Sequence, residues 1–329
     1  MNIFVYEHIT GGGLIGSPMP TSLATEGRMM RDALVHDLVA VPGVEIVTLR
    51  DARIASPPGP VQSIVLSDRA QWDSAFDAIA AKADAVWPIA PETGGILERL
   101  SRRIGRAGRP LIGSSPEAVH VAASKRETHR ALVACGVASV ATFSLDANLP
   151  HSPGPWVAKP DDGCGCADTY CFPDRSAALR WAMSRADASR FVLQPHVAGE
   201  VLSLCVLARD ARAWLLCVNR QRMQLRDGAF VFTGTEVNAI ADHGGDFTRL
   251  AQAVVAALPG LRGYCGIDVI HAPSGPMVID VNPRLTTSWV GLGRALRLNP
   301  AALVLDLIAN DGFTLPAIEG TVIDVRVGV

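Results

Sequence analysis

The stretch Gly266-Ile267-Asp268-Val269-Ile270, the turn Ala272-Pro273-Ser274-Gly275 and the run Met277-Val278-Ile279-Asp280-Val281-Asn282-Pro283-Arg284 decide how this chain is read. Two apolar runs flanking a Pro/Gly turn favour an antiparallel hairpin. In a strand, side chains two apart share a face, so Asp280 and Asn282 point together while Ile279 and Val281 are expected to pack behind them. Asp268, on the partner strand, can reach the same face. Two carboxylates and an amide oxygen are a hard donor set of the kind Mg²⁺ takes when phosphate oxygens and water complete its octahedron. Arg284 follows as a guanidinium able to neutralise a transferred phosphate or a developing oxyanion.

Working outward, the lysines stand out. There are only three, Lys82, Lys125 and Lys159, in a total of 30 basic residues, so simple positive charge is written here as Arg. A compact ammonium differs chemically from a planar guanidinium, which makes each Lys a candidate for a chemical reason. Lys159 ends the strand Trp156–Lys159 and precedes Pro160-Asp161-Asp162-Gly163-Cys164-Gly165-Cys166-Ala167. A strand-end ammonium beside a small-residue loop suits nucleotide phosphates. Lys125 opens a helix that begins at Ser124 with Glu127 in capping-box spacing and stops at Gly136, and helix N-termini favour anions. Gln194-Pro195-His196-Val197-Ala198-Gly199-Glu200 reads as an extended linker whose backbone could meet an adenine edge and whose carboxylate could accept ribose hydroxyls.

The remaining chain divides by pattern. In residues 1–115, strands Asn2–Tyr6, Val44–Leu49, Ser63–Leu66, Ala85–Ile89 and Pro110–Ile112 alternate with helical segments near 25–40, 71–83 and 95–106, which predicts a doubly wound parallel sheet. Residues 116–195 read as a small α+β lobe: the helix from Ser124, a Pro-rich turn from Pro150 to Pro155, strands Trp156–Lys159, Thr169–Phe172 and Phe191–Pro195, and a helix 174–187. Residues 196–329 read as mostly antiparallel: strands Val201–Arg209, Ala213–Val218 and Ala229–Phe232, a helix near 246–258, then the hairpin. The apolar segment Thr321–Val327 leaves pairing within the chain and pairing across a homodimer both open.

Composition excludes some functions. A length of 329 residues with 49% hydrophobic content allows a large core, and a net charge of -2 gives no single-sign field for nucleic acid or a membrane surface. No apolar run reaches the roughly 18 residues of a spanning helix, and the N-terminus lacks a basic signal-peptide start. Seven cysteines in a chain of this size fit a reducing, cytoplasmic setting without disulfides. Cys164-x-Cys166 with Cys171 lacks the second ligand pair of a zinc site. Gly11-Gly12-Gly13 lacks dinucleotide-loop spacing and reads better as a substrate-contacting turn.

The order Ser124-Lys125, Val157-Ala158-Lys159-Pro160 with its loop, Gln194 to Glu200, Gly266-Ile267-Asp268 and Asp280-Val281-Asn282-Pro283-Arg284 resembles the ATP-grasp superfamily over residues 110 to 295. That resemblance implies an ATP-grasp fold behind an N-terminal α/β domain. It implies that Lys125 and Lys159 contact nucleotide phosphates, that Gly163 and Gly165 belong to a loop covering them, and that Gln194, His196 and Val197 frame the adenine. Glu200 would hold the ribose, and Asp268, Asp280 and Asn282 would bind Mg²⁺ or Mn²⁺. Arg284 and Lys159 would act in phosphoryl transfer. One departure is Asp280, where the superfamily commonly has Glu. A narrower likeness, carried by Val5 to Gly13, Pro91-Glu92-Thr93-Gly94-Gly95, Val218-Asn219-Arg220-Gln221 and Asn282 to Ser288, is to the tyramine-glutamate ligase group, which makes a γ-glutamyl amide in methanofuran biosynthesis. It implies amino-acid and amine substrates, with Glu7, Glu92 and Arg220 as substrate-holding candidates. A kinase, a carboxylase and a non-catalytic nucleotide-binding module remain open beside the ligase.

Overall fold

The computed structural model describes residues 1–146, 149–150 and 152–327, so residue 151 of the Pro-rich turn lies outside the described residues. The chain begins β1 (Asn2–Glu7), α1 (Thr21–Val39), β2 (Glu45–Asp51), β3 (Val61–Leu66), α2 (Arg69–Ala80), β4 (Ala85–Ile89) and α3 (Ile96–Arg106). The four strands are parallel, in the order β3-β2-β1-β4. Alternation along β1 explains why both faces are covered: Ile3 and Val5 pack with Leu34 and Leu38 of α1, while Phe4 and Tyr6 pack with Phe76 of α2 and Leu100 of α3. The expected strand Pro110–Ile112 shrinks to a single bridge between Leu111 and Val86.

Next come α4 (Pro116–Ala123), α5 (Lys125–Ala134), β5 (Phe143–Ser144), β6 (Trp156–Pro160), β7 (Tyr170–Phe172), α6 (Arg175–Met183) and β8 (Phe191–Pro195). Trp156, Phe191 and Leu193 form a small core under Ala178 and Ala182 of α6. Ser124 caps α5 as its sequence predicts, its Oγ accepting from the Glu127 N–H at 3.1 Å. Glu127 does not complete the box, because its carboxylate is taken by Arg130 at 2.6 Å.

The rest is β9 (Glu200–Arg209), β10 (Arg212–Arg226), β11 (Ala229–Ile240), α7 (Asp246–Ala257), β12 (Gly263–Ala272), β13 (Gly275–Asn282), α8 (Trp289–Leu296), α9 (Pro300–Ala309) and β14 (Ile323–Arg326). The path β13-β12-β9-β10-β11 is antiparallel and continues through β7 into β6, β8 and β5. Strands β10 and β11 run 8 residues beyond the expected ends at Val218 and Phe232. Along the added length Arg220 and Arg222 both pair across the ladder with Glu236. Between β11 and β7 the sheet hangs on one residue pair, Ala229 with Tyr170, and two flanking backbone hydrogen bonds of 2.8 and 2.9 Å.

Trp289 of α8 meets Trp87 of β4 edge-on at 5.9 Å between ring centroids. The same apolar cluster takes in Leu207 and Tyr264 of the antiparallel sheet, so the first sheet and the hairpin sheet share a core. The C-terminal question is resolved in favour of the chain itself, since β14 pairs antiparallel with β11. Gly234 permits this: its φ is +146°, and a Cβ there would lie 2.3 Å from the Val325 carbonyl oxygen. Gly234→Ala is expected to unseat β14 and cost about 1–3 kcal/mol, read as a lower melting temperature and faster proteolysis near residue 325; an unchanged melting temperature would count against this account.

Candidate functional site

The hairpin places its acids by register. Asp268 lies directly opposite Asp280, and Gly266 opposite Asn282. A β-bulge falls between the Asp268–Asp280 and Val269–Val278 pairs, so Ile279 is the extra residue. This corrects the simple alternation expected of β13. Val278 and Val281 enter the core, while Ile279 turns to the same cavity as Asp280 and Asn282.

That cavity, about 240 Å³, lies between β6, β8 and the hairpin sheet. Lys125, Lys159, Asp268, Asp280, Asn282 and Arg284 all open onto it, as do Gly163, Gly165, Gln194, His196 and Val197. The Asp268 side chain accepts from Gln221 Nε2 at 2.7 Å and from Asn282 Nδ2 at 3.0 Å. Because Asn282 spends its N–H on Asp268, its carbonyl oxygen is the atom left for a cation. Burial, and then the charge of Asp280, push the Asp268 carboxyl up to about 6 despite those hydrogen bonds. Two half-buried carboxylates facing each other call for a cation, and their oxygens with Asn282 Oδ1 fit Mg²⁺. Among the described residues no three His, Cys, Asp or Glu side chains gather as a metal set, so phosphate oxygens and water would have to complete the shell.

Lys125 Nζ is 3.0 Å from Asp280 Oδ2 and donates to the Gly163 carbonyl at 2.7 Å. Burial works against its charge, but Asp280, Glu92 and Asp161 more than offset this and raise its pKa. Lys159 is equally buried and has no ion-pair or hydrogen-bond partner among the described residues. Burial and the nearby Lys125 pull its ammonium down to about 8. The first turn of α5 is not an open anion site as expected. Asp161 Oδ1 accepts from Arg126 N–H at 3.0 Å, and its Oδ2 from Ser124 Oγ at 2.6 Å, so the protein's own carboxylate caps that helix.

The loop after β6 is tied to the first sheet's domain. Thr93 Oγ1 donates to the Asp162 carbonyl and Gly94 N–H to the Asp162 side chain, both at 2.8 Å. Gly165, Cys166 and Asp168 hold φ of 62°, 61° and 52°, a left-handed path that turns the loop over the cavity rim. Cys164 and Cys166 stay protonated thiols, pushed up by burial. They serve as small neutral side chains there.

The apolar wall was not foreseen. Phe230 stacks on His196 at 6.4 Å and 10°, and Met223, Phe232 and Ile270 line the same side. Gln194 contributes wall rather than a free amide, because its Nε2 is bound to Thr142 Oγ1 at 2.7 Å.

Four expected site residues lie elsewhere. Val201 and Ser203 face the cavity, so strand alternation turns Glu200 to the other face, where its Oε1 accepts from Arg220 Nε at 2.6 Å. Arg220 is on that outer face too, bound also to Glu236 at 3.0 Å. Residues 219, 221 and 223 carry the inner face, and Gln221, next to the expected Arg220, is the one that reaches Asp268. Glu7 is buried against Gly27 and accepts backbone N–H groups from Ile9 and Thr10 at 3.0 and 2.6 Å. It holds the Gly-rich turn. Glu92 sits beneath the cavity instead of lining it, and takes Arg284 Nε and Nη2 at 3.1 and 2.9 Å. Glu26 of α1, not foreseen, lines the cavity beside Arg284 and accepts from Thr287 Oγ1.

The model of the ATP-grasp domain family matches residues 122–288, about half of the chain and every residue that lines this cavity except Glu26. The chain belongs to the ATP-grasp family. A pre-ATP-grasp domain model matches residues 44–119 of this family member. Two tyramine–L-glutamate ligases are similar: one from Methanocaldococcus jannaschii, 30% identical over 68% of this chain and 61% of that protein, and one from Methanocaldococcus fervens, 30% identical over 64% and 62%. The chain thus spans a little over three-fifths of the length of the curated relatives it matches. Among solved structures, an ATP-grasp superfamily protein from Archaeoglobus fulgidus superposes with a TM-score of 0.71 at 22% identity, over 100% of this chain and 99% of that one. A D-alanine–D-alanine ligase from Bacillus anthracis complexed with ATP gives 0.63 at 14%, over 93% and 97%. These two likenesses bear on the fold of this ATP-grasp chain.

The folded pKa of Asp268 lies above its ordinary value, so its contribution to stability is present at low pH and is lost as pH rises through about 6. Asp268→Asn should therefore raise the melting temperature of the metal-free protein at about pH 7.5 and abolish any stabilisation by Mg²⁺. A thermal shift series checks both; equal Mg²⁺ stabilisation of the variant would remove Asp268 from the metal site.

Proposed function

We propose that this ATP-grasp protein is an ATP- and Mg²⁺-dependent ligase that joins an amino-acid carboxylate, glutamate by its γ-carboxylate, to an amine of the tyramine or tyrosine type. The observation that carries the reading is the opening of two of the three lysines and both hairpin carboxylates onto one cavity with an apolar wall. Similarity to tyramine–L-glutamate ligases supports the substrate pair, and the reading extends to a place in methanofuran-type one-carbon cofactor biosynthesis, as the resemblance of the sequence motifs implies. The absence of a helix long and apolar enough to cross a membrane among the described residues agrees with a cytoplasmic site of action.

In this reading the adenine lies against Phe230, His196 and Met223, and the phosphates reach Lys159 and Lys125. Mg²⁺ held by Asp268, Asp280 and Asn282 would draw charge from the phosphate oxygens. The γ-phosphoryl passes in line to the donor carboxylate, giving an acyl phosphate and ADP. The amine then attacks the acyl carbon, phosphate leaves, and an amide remains. Arg284, fixed by Glu92, is placed to offset oxyanion charge, and the loop over Lys159 keeps water from the acyl phosphate. No protein nucleophile is needed.

A phosphate-release screen of carboxylic acids against amines with Mg-ATP tests this. ADP, phosphate and an amide should appear only when acid and amine are both present, and Lys159→Ala or Asp280→Asn should lower kcat by roughly 10²–10³-fold with the fold intact. A stable phosphorylated acid formed without amine would instead identify a kinase. Because Lys159 titrates near 8, ATP binding above that pH should take up about one proton, measurable as a buffer-dependent binding enthalpy.

A further inference from the structure

The cavity is laid out along the hairpin. Ile270 and Ile279 lie at one end, then Asp268 and Asp280, then Asn282, then Arg284. With strand residues about 3.3 Å apart, the apolar wall and Arg284 are separated by the length of a nucleotide's phosphates. What lies beyond the phosphates is the end where Arg284, Thr287 and Glu26 meet. Glu26 comes from the second turn of α1, 261 positions away in sequence from the Thr287 hydroxyl that donates to its Oε1. Its charge acts on Arg284 and on Cys164 of the loop.

The charges at this end do not balance within the protein. Arg284 is committed to Glu92 through two hydrogen bonds to one carboxylate oxygen, and Lys125 is committed to Asp280. Glu26 Oε2 accepts no hydrogen bond, and Glu26 forms no ion pair, among the described residues, although its carboxylate lines the cavity. A half-buried carboxylate held in place and left without a cation favours a ligand ammonium.

Resting on the ligase reading, we infer that Glu26 is a specificity-determining residue that binds the α-ammonium of the amino acid being activated. Chemistry separates this from the other amine in the reaction. The attacking amine must lose its proton to carry a lone pair, whereas pairing with a carboxylate favours the protonated form. An ammonium held at Glu26 is thus one that must not react. Thr287 occupies Oε1 and leaves Oε2 facing the substrate. Glu26 thereby excludes simple dicarboxylic acids and keeps the donor's own amine from condensing with a second activated acid.

The test compares L-glutamate with glutarate, which lacks the ammonium, in calorimetric titrations with Mg²⁺ and a non-hydrolysable ATP analogue, and in amide formation with tyramine. The wild-type protein should prefer glutamate by on the order of 10- to 100-fold. Glu26→Gln should bring the two acids to near parity, with KM for ATP and tyramine within about twofold. Thr287→Val, which frees Oε1 but keeps the carboxylate, should retain most of the preference, and it serves if Glu26→Gln fails to fold. An unchanged preference in Glu26→Gln overturns the inference, as does a rise in KM for tyramine with the acid preference intact. If the wild-type protein forms amide while either of those holds, the ligase reading stands alone. A wild-type protein that forms no amide from any acid and amine overturns both.

Discussion

Strand register forces Asp268 and Asp280 to face each other across a half-buried cavity, and the surrounding structure answers that constraint. Like charges that face each other across a ladder repel unless something positive intervenes. The protein supplies only part of it. Lys125 pairs with Asp280, Gln221 and Asn282 donate to Asp268, and Lys159 stands near without touching either. The residual charge is what a divalent cation and a polyphosphate would complete together. Neither alone would do, because the phosphates bring negative charge that needs the lysines and the cation brings positive charge that needs the acids.

The same logic extends outward to the packing. Glu92 holds Arg284, and the neighbouring Thr93 and Gly94 hold the loop after β6. One short turn of the first domain thus positions the guanidinium and the loop over the phosphate region. The shared core of Trp87, Trp289 and Leu207 keeps that turn in register with the hairpin. Small shifts at this interface would reach the site as changes in where Arg284 and the loop stand.

Much of this was legible in the sequence, for identifiable reasons. Rare lysines, a Pro/Gly turn and alternating acids are local signals, and Lys125, Lys159, Asp268, Asp280 and Asn282 share one cavity as their pattern suggested. The failures are also local. The bulge at Ile279 shifts alternation by one residue, and nothing in Val278-Ile279-Asp280 announces it. Ending β10 at Val218 hid which of Arg220 and Gln221 faces inward. Glu26 was invisible because a Glu on an amphipathic helix has no pattern of its own; only the packing of α1 against Thr287 gives it meaning. Glu7 and Glu92 were read as substrate-holding candidates, but burial assigns them to fixing a turn and an arginine.

The scarcity of lysine has a consequence for covalent chemistry. Lys82 is exposed, Lys125 is sealed in an ion pair, and Lys159 is buried at the cavity with its ammonium weakened to about 8. A neutral amine is a nucleophile. In a chain otherwise furnished with guanidinium groups, an electrophile shaped like a nucleotide would find a single poised lysine inside the cleft and one background lysine on the surface, so the composition that makes this protein poor in lysine also makes its cleft selectively addressable.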